Sequence, residues 1–193
     1  MRGNVGLLDW YTVSVAIFTA VMLAAHGATY LTLKTEGPVH DRSTMWGKYL
    51  WAAVVPLFLA ISVESWVVRP DLPGHAIHHP FCWLGLLVAI VSIVMLISGL
   101  STHREVRAFL GSNGLLVGLL ATGAGAIFPV MLYSTLAPEN SLTAYAVAAN
   151  PRALHIASIW WPMSFVLATT YFVFISLRYA GKVSLKRDTQ GFY

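Results

Sequence analysis

Three residues near the end of the first apolar segment could do chemistry or could hold helices together: His26, Gly27 and Thr29. Polar atoms at membrane depth are costly unless they face another helix, and glycine lets a neighbouring backbone come close. We therefore expect this part of the segment to pack against protein. His26 is either a proton relay or haem ligand, or a neutral imidazole hydrogen-bonded to a facing helix. We favour the hydrogen bond.

A second candidate is Glu64, the one acid well inside an apolar run. An acid within a membrane span is a functional candidate by default. Glu64 also lies one to two helical turns from Arg69, where it could reach water or pair with that arginine. We favour this structural interpretation.

Three histidines, His75, His78 and His79, lie in a proline-containing loop. They superficially resemble a metal site. No carboxylate stands at ligand spacing, however, so we interpret them as exposed histidines and predict no metal site on this chain.

The composition limits which class of protein carries these residues. Of 193 residues, 57% are hydrophobic and only 10% are charged, which indicates an all-α integral membrane protein. The single cysteine, Cys82, excludes an internal disulfide framework and a cysteine-based metal site. The net charge of +4 could suggest nucleic acid, but the basic residues stand at segment ends rather than in one patch, so we predict no nucleic-acid binding.

Five apolar segments are long enough to span a bilayer, since about 20 helical residues cross the hydrocarbon core. We expect no cleavable signal peptide, because the first of them is long and carries Asp9 near its start. The predicted spans lie near residues 7–33, 49–68, 81–100, 114–132 and 153–177, within a single transmembrane domain of residues 1–193.

The distribution of basic residues predicts the orientation. Nine of the twelve Lys and Arg residues lie in the stretches 34–48, 104–107 and 178–187, and the other three are Arg2, Arg69 and Arg152. The positive-inside rule then places the N-terminus outside and the C-terminus in the cytoplasm.

The connections and the fourth segment make further predictions. We expect a tight cytoplasmic turn over residues 34–48 and a short surface helix that begins at an Asn140 N-cap and runs to Asn150-Pro151. In the fourth segment, small residues recur on one helix face and Phe128-Pro129 ends that face, so we expect close contact with another helix, either in this chain or from another polypeptide. The small residues are Gly114, Gly118, Ala121 and Gly125.

Several sequence motifs resemble those of one protein family. The string 26–31, HGATYL, followed by Lys34-Thr35-Glu36-Gly37, looks like the signature that opens the second half of subunit II of cytochrome bd quinol oxidases. Four later motifs follow in the order of that family: GAIFP at 125–129, NSLT at 140–143, Asn150-Pro151, and Gly181-Lys182-Val183. The sequence departs from the family pattern at Tyr133, Ala146 and Thr169-Thr170.

This resemblance implies a fold, partners and a location. It implies a four-helix bundle plus one additional peripheral transmembrane helix, in the inner membrane of a bacterium. In that family, subunit I binds two b-type haems and one d-type haem, oxidises quinol and reduces oxygen to water. Subunit II is its scaffold and in some members holds a structural quinone. The implied partners are the haem-bearing subunit I, a separate first-half polypeptide and membrane lipid.

The resemblance further implies that this chain has no catalytic residue of its own, and its residues indicate that it carries no haem. Two axial ligands must lie at one membrane depth, whereas His26 is toward the basic end of the first span and His155 begins the last span at the opposite end. These two histidines cannot share one iron. Two other functions stay open, a small multi-helix transporter or channel and a membrane assembly protein.

Overall fold

The computed structural model describes residues 9–70, 72–132, 134 and 137–183, without the side chains of residues 73, 75 and 138. The chain divides into two compact units, one formed by Met1–Phe128 with Val183–Tyr193 and one formed by Pro129–Lys182. The first unit contains five helices: α1 Trp10–Lys34, α2 Pro38–Val68, α3 Leu72–His78, α4 Pro80–Ser101 and α5 Glu105–Ile127.

Five helices of the described part are long and apolar enough to cross a membrane: α1, α2, α4, α5 and α6 (Pro151–Arg178). This confirms the predicted all-α integral membrane fold. In the first unit, α1 packs along α2 and α4 packs along α5, and α1 also contacts α5. Two helical hairpins are thus joined through α1 and α5.

Two predicted spans differ from the observed helices at three boundaries. The second helix begins at Pro38 rather than near 49, and α5 begins at Glu105 and ends at Ile127 rather than covering 114–132. Hydropathy detects only the apolar part of a helix, whereas both helices begin with turns that carry polar residues. The 31 residues of α2 make about 46 Å of helix, more than the roughly 30 Å hydrocarbon core requires.

The connection from α1 to α2 is therefore much shorter than the predicted turn over 34–48. Thr35 caps α1 through its backbone N–H to the Leu31 carbonyl, and Pro38 opens α2 at a position that suits proline. Between them Gly37 has a φ of +67°, a conformation that side chains with a Cβ rarely adopt. The glycine is required here by the backbone.

Small residues let α4 and α5 approach closely. Gly85, Ala89 and Gly99 of α4 are buried, as are Gly111 and Gly118 of α5. A Cβ built on Gly118 would lie 2.6 Å from the backbone nitrogen of Ala89, and one on Gly85 would lie 2.7 Å from the backbone nitrogen of Thr122. The two backbones are in contact, which is possible only where side chains are absent.

The second unit begins with a small antiparallel hairpin of β1 (Val130–Leu132) and β2 (Leu142–Thr143), with a 3₁₀ turn at Pro138–Asn140 between the strands. Turns and irregular structure follow over residues 144–150. The predicted surface helix from Asn140 was therefore wrong, because a two-strand pairing uses this segment instead. The cap belongs to Asn150, whose side chain accepts from the Arg152 N–H at the start of α6.

No residue of α6 is buried. Large apolar side chains cover all of its sides, including Trp161, Phe165, Leu167 and Phe172, which are 67–75% exposed. Such a helix is stable only where lipid or protein covers it.

Candidate functional site

The first polar contact inside the bundle joins α1 to α5. His26 Nδ1 lies 2.9 Å from Ser112 Oγ, and the imidazole stacks on the ring of Phe109 with centroids 5.5 Å apart. The Ser112 hydroxyl donates to the Phe109 carbonyl, so its oxygen accepts from His26 and Nδ1 carries the proton. Ser112 is fully buried. His26 therefore forms a hydrogen bond across a helix interface.

The second polar contact joins α1 to α2. Thr29 Oγ1 donates to the Ala25 carbonyl and accepts from the indole N–H of Trp51, both at 2.9 Å. Thr29 and Trp51 are only 4% and 7% exposed, so this hydrogen bond satisfies two groups that would otherwise be buried without partners.

Gly27 does not have the role expected of it. A Cβ on Gly27 would meet nothing within 4 Å, so no neighbouring backbone approaches it. The close approach to α2 occurs one residue later, where a Cβ on Gly47 would lie 3.6 Å from the Cβ of Ala28. Ala25 and Ala28 are buried at this end of α1, whereas Gly27 has no close neighbour among the described residues.

The charged residues that follow form the short turn between α1 and α2. The backbone carbonyl of Lys34 accepts from the Val183 N–H at 2.7 Å, and the Glu36 N–H donates to the Val183 carbonyl at 3.1 Å. The segment after α6 thus pairs with this turn at Thr35, which positions the motif residues Lys34, Glu36 and Gly37 at one end of the first unit.

A cavity of about 100 Å³ lies at the same end, between α1, α2, α4 and α5. We call it the polar cavity, after the polar side chains among its lining residues. His40 of α2 bridges to α5 through Nε2, which is 2.9 Å from Glu105 Oε1, and its Nδ1 is 3.3 Å from Asp41. The Thr32 hydroxyl donates to the Ala28 carbonyl, which leaves its oxygen as an acceptor facing Thr44 at 3.5 Å. The other polar side chains of the lining are Thr29, Ser43, Lys48 and His103.

The size of the polar cavity decides what it can hold. Ligand pockets are usually about 300–1,000 Å³, whereas one water molecule occupies about 30 Å³. A volume of about 100 Å³ lies below the usual range of ligand pockets and suits a few water molecules. The hydroxyl, imidazole and carboxylate groups can therefore order water, and His40 and Glu105 are groups able to exchange a proton with it.

Glu64 lies at the interface of α1 and α2 toward their other ends. Its Oε1 accepts from the Ser14 hydroxyl at 3.2 Å, and the neighbouring Ser65 is 2.9 Å from the hydroxyl of Tyr11. Within the described residues Glu64 makes no ion pair with Arg69, and its Oε2 is buried without a hydrogen-bond partner. The acid therefore links two helices by a hydrogen bond instead of pairing with arginine.

The glycines of the predicted strip face α4 of this same chain. A Cβ on Gly125 would lie 2.8 Å from Cys82 Sγ, and one on Gly114 would collide with the Ser92 hydroxyl. Phe128 follows the last residue of α5 with an extended backbone, as expected before Pro129, and its ring packs edge-on against His79 at 5.8 Å.

The three-histidine loop is mostly helical. His78 ends α3 and His79 precedes α4, while the side chain of His75 lies outside the described residues. Across the part of the chain that the structure describes, no group of three or more His, Cys, Asp or Glu side chains could hold a metal ion.

The sequence interpretation missed several polar partners: Ser112, Trp51, Ser14, His40 and Glu105. Each partner is separated from the residue it contacts by 22 to 86 positions, and no local pattern connects them. The one available signal was a serine and an asparagine next to the predicted glycine strip, at Ser112 and Asn113.

Comparison with known proteins identifies the family. The family model described as cytochrome bd terminal oxidase subunit II matches residues 1–177. The chain belongs to this family. The recognition from sequence motifs is thereby confirmed, and the subunit II chain is a membrane protein of several spans.

One relative shows how much of a longer protein the subunit II chain corresponds to. A Haemophilus influenzae protein described as a probable cytochrome oxidase subunit 2 is 21% identical over 204 aligned residues, which cover 92% of this chain and 53% of the relative. The chain thus spans about half the length of the curated relative it matches.

Proposed function

We propose that this chain acts as part of subunit II of a cytochrome bd-type terminal oxidase, in which it supports a haem-bearing subunit that oxidises quinol and reduces oxygen to water. Its family supports the assignment to an oxidase complex. The supporting role, the absence of catalytic residues on the chain, the quinol substrate and the identity of the partner are the proposal.

The observation that carries this role is the way in which the bundle uses its polar side chains. His26 bonds to Ser112, Trp51 to Thr29, Ser14 to Glu64 and Tyr11 to Ser65, so each pair joins two different helices. Hydrogen bonds between spanning helices fix their positions. A bundle whose polar side chains fix its helices in this way is rigid, which suits it to holding a partner in place.

Two histidines of the bundle, His26 and His40, do not suit haem ligation. The Nδ1 of His26 is hydrogen-bonded and one face of its ring is covered by Phe109, and both nitrogens of His40 face carboxylates. An axial ligand needs a ring nitrogen that points into a gap wide enough for the macrocycle. The two b-type haems and the d-type haem of the complex are therefore proposed to reside in subunit I, and a structural quinone, if one is bound, outside the polar cavity.

We propose the haem-bearing subunit I, a separate first-half polypeptide and membrane lipid as partners. The exposed apolar sides of α6 support contact with lipid or with a protein partner. We propose an inner-membrane location with the N-terminus outside and the C-terminus in the cytoplasm, because nine of twelve basic residues lie on the side that would then face the cytoplasm.

A second role, proton access to the complex, is favoured by the polar cavity. It combines a His40–Glu105 pair with room for water at the basic end of the bundle. Replacing His40 with Gln keeps a hydrogen-bonding group but removes the titratable ring. If the cavity supplies protons, oxygen uptake falls in this variant while haem content stays at the wild-type level. Unchanged uptake would remove this second role.

The supporting role itself is tested by purification from the native membrane through a tag on this chain. Haem absorption should co-purify with the chain and follow a different polypeptide when the subunits are separated. A preparation in which the haem stays on this chain would refute the supporting role.

A further inference from the structure

An open groove of about 700 Å³ lies beside the turn between α4 and α5. We call it the basic groove, because Arg104 and Arg107 line it together with His103 and Glu105. The remainder of its lining is apolar and consists of Met95, Val106 and Leu110.

The two arginines have no counterion in the described part of the chain. Among the described residues, His40 forms ion pairs with Asp41 and with Glu105, and neither arginine takes part in them. Glu105 stands between the arginines in sequence, but its Oε1 is 2.9 Å from His40 at the polar cavity. Two guanidinium groups, each with five N–H donors, are thus available to an anion from outside the chain.

The apolar side of the groove continues into the membrane. Val106 and Leu110 are 60% and 53% exposed on α5. Leu110 is five residues into a helix that begins at Glu105, so it lies roughly 8 Å along the axis from the charged end. An occupant that uses the whole groove must carry a negative group at one end and a hydrocarbon chain at the other.

We propose that the basic groove binds one anionic phospholipid, with its phosphate on Arg104 and Arg107 and an acyl chain along Met95, Val106 and Leu110. Guanidinium groups bind phosphate oxygens in a bidentate manner. The start of α5 adds a favourable dipole for a negative charge. Lipid binding here requires only residues of this chain, so it stands apart from the proposed oxidase role.

The test uses the purified full chain, stripped of lipid in detergent and then supplied with phosphatidylglycerol or with phosphatidylcholine of the same acyl chains. Native mass spectrometry should retain one phosphatidylglycerol per chain, and the melting temperature should rise with this lipid only. Equal retention and equal stabilisation by phosphatidylcholine would overturn the proposal. Inorganic phosphate is a third arm, and stabilisation by phosphate at the same concentration as the lipid would also overturn it, because the acyl chain would then contribute nothing.

Variants locate the site. The double substitution Arg104→Gln with Arg107→Gln should weaken phosphatidylglycerol binding roughly tenfold or more, because it removes the charge-assisted hydrogen bonds to the phosphate. Arg42→Gln is the matched control, because Arg42 is an exposed arginine of α2 outside the groove. Equal binding by the double variant and the control would overturn the assignment to this groove. Should the double variant not fold, the headgroup comparison on the unmodified chain still decides the proposal.

Discussion

At the residue scale, the hydrogen bond of His26 to Ser112 makes the clearest prediction. His26→Leu removes the donor to a fully buried hydroxyl, so it should destabilise the chain by about 1–3 kcal/mol, whereas His26→Gln keeps an uncharged donor and should cost much less. Thermal unfolding of the purified variants measures both. In the complex, Gln should also preserve oxygen uptake. Full assembly with haem but no oxygen uptake in both variants would instead identify His26 as a proton relay.

A second residue, Asp9, links the stability of a helix end to pH. The side-chain hydroxyl of Thr12 and then its backbone N–H donate to the carboxylate, which lowers the pKa of Asp9 below its ordinary value of 3.8. Asp9 is the N-cap of α1. The stabilisation of the helix end by its charged carboxylate is therefore fully present above pH 3.8 and is lost as the pH falls through the lowered pKa.

We expect hydrogen exchange of the first-turn amides of α1, corrected for its intrinsic pH dependence, to accelerate only when the pH falls below 3.8. Asp9→Ala lacks the cap at every pH, so its first turn should exchange at the accelerated rate throughout. Amides in the middle of α1 should stay protected in both proteins. Equal protection of the first turn in the variant at neutral pH would contradict the capping role.

At the element scale, the contact between α4 and α5 depends on glycine at particular positions. Gly118→Leu forces a side chain against the backbone of Ala89, so we expect a loss of about 1–3 kcal/mol or more in the free energy of unfolding and weaker assembly. Gly123→Leu is the control on the same helix, because a Cβ on Gly123 meets nothing within 4 Å. The prediction is wrong if the two variants unfold at the same temperature.

The elements also show what the sequence could and could not predict. The apolar runs of α1, α4 and α6 gave nearly the observed bounds, because those helices end close to where the apolar residues end. The starts of α2 and α5 were placed 11 and 9 residues late. The first turns of both helices mix polar and apolar residues, so their mean hydropathy is too low to indicate a span. The segment after Asn140 forms a strand pairing with β1, a long-range contact that local capping signals cannot reveal.

The candidate site was predicted in the same uneven way. The sequence identified His26, Thr29 and Glu64 because polar residues stand out in apolar runs. It did not identify Ser112, Trp51 or Ser14 as their partners, and it missed the polar cavity. These groups come together only because helices that are distant in sequence pack against each other. Gly37 and Gly27 illustrate the limit further: both are glycines of one motif, and only the first is required by its backbone conformation.

At the scale of the whole molecule, the proposed orientation can be measured by cysteine labelling. With the native Cys82 replaced by Ala, a cysteine introduced at His78 should react with an impermeant reagent from the outer side, and one introduced at Lys182 should not. The physical reason is the excess of basic residues at the end of the bundle that would face the cytoplasm. Labelling of residue 182 and protection of residue 78 would reverse the orientation.

The most direct test of the proposed function is the visible spectrum of the complex isolated through this chain. We predict absorption bands of b-type and d-type haem in the intact preparation, quinol-driven oxygen uptake, and no haem on this chain after the subunits are separated. Because the polar side chains of the bundle hold helices together, the haem signal should follow the proposed subunit I. An isolated complex without haem and without quinol oxidase activity, from membranes in which the chain is expressed and assembled, would contradict the account.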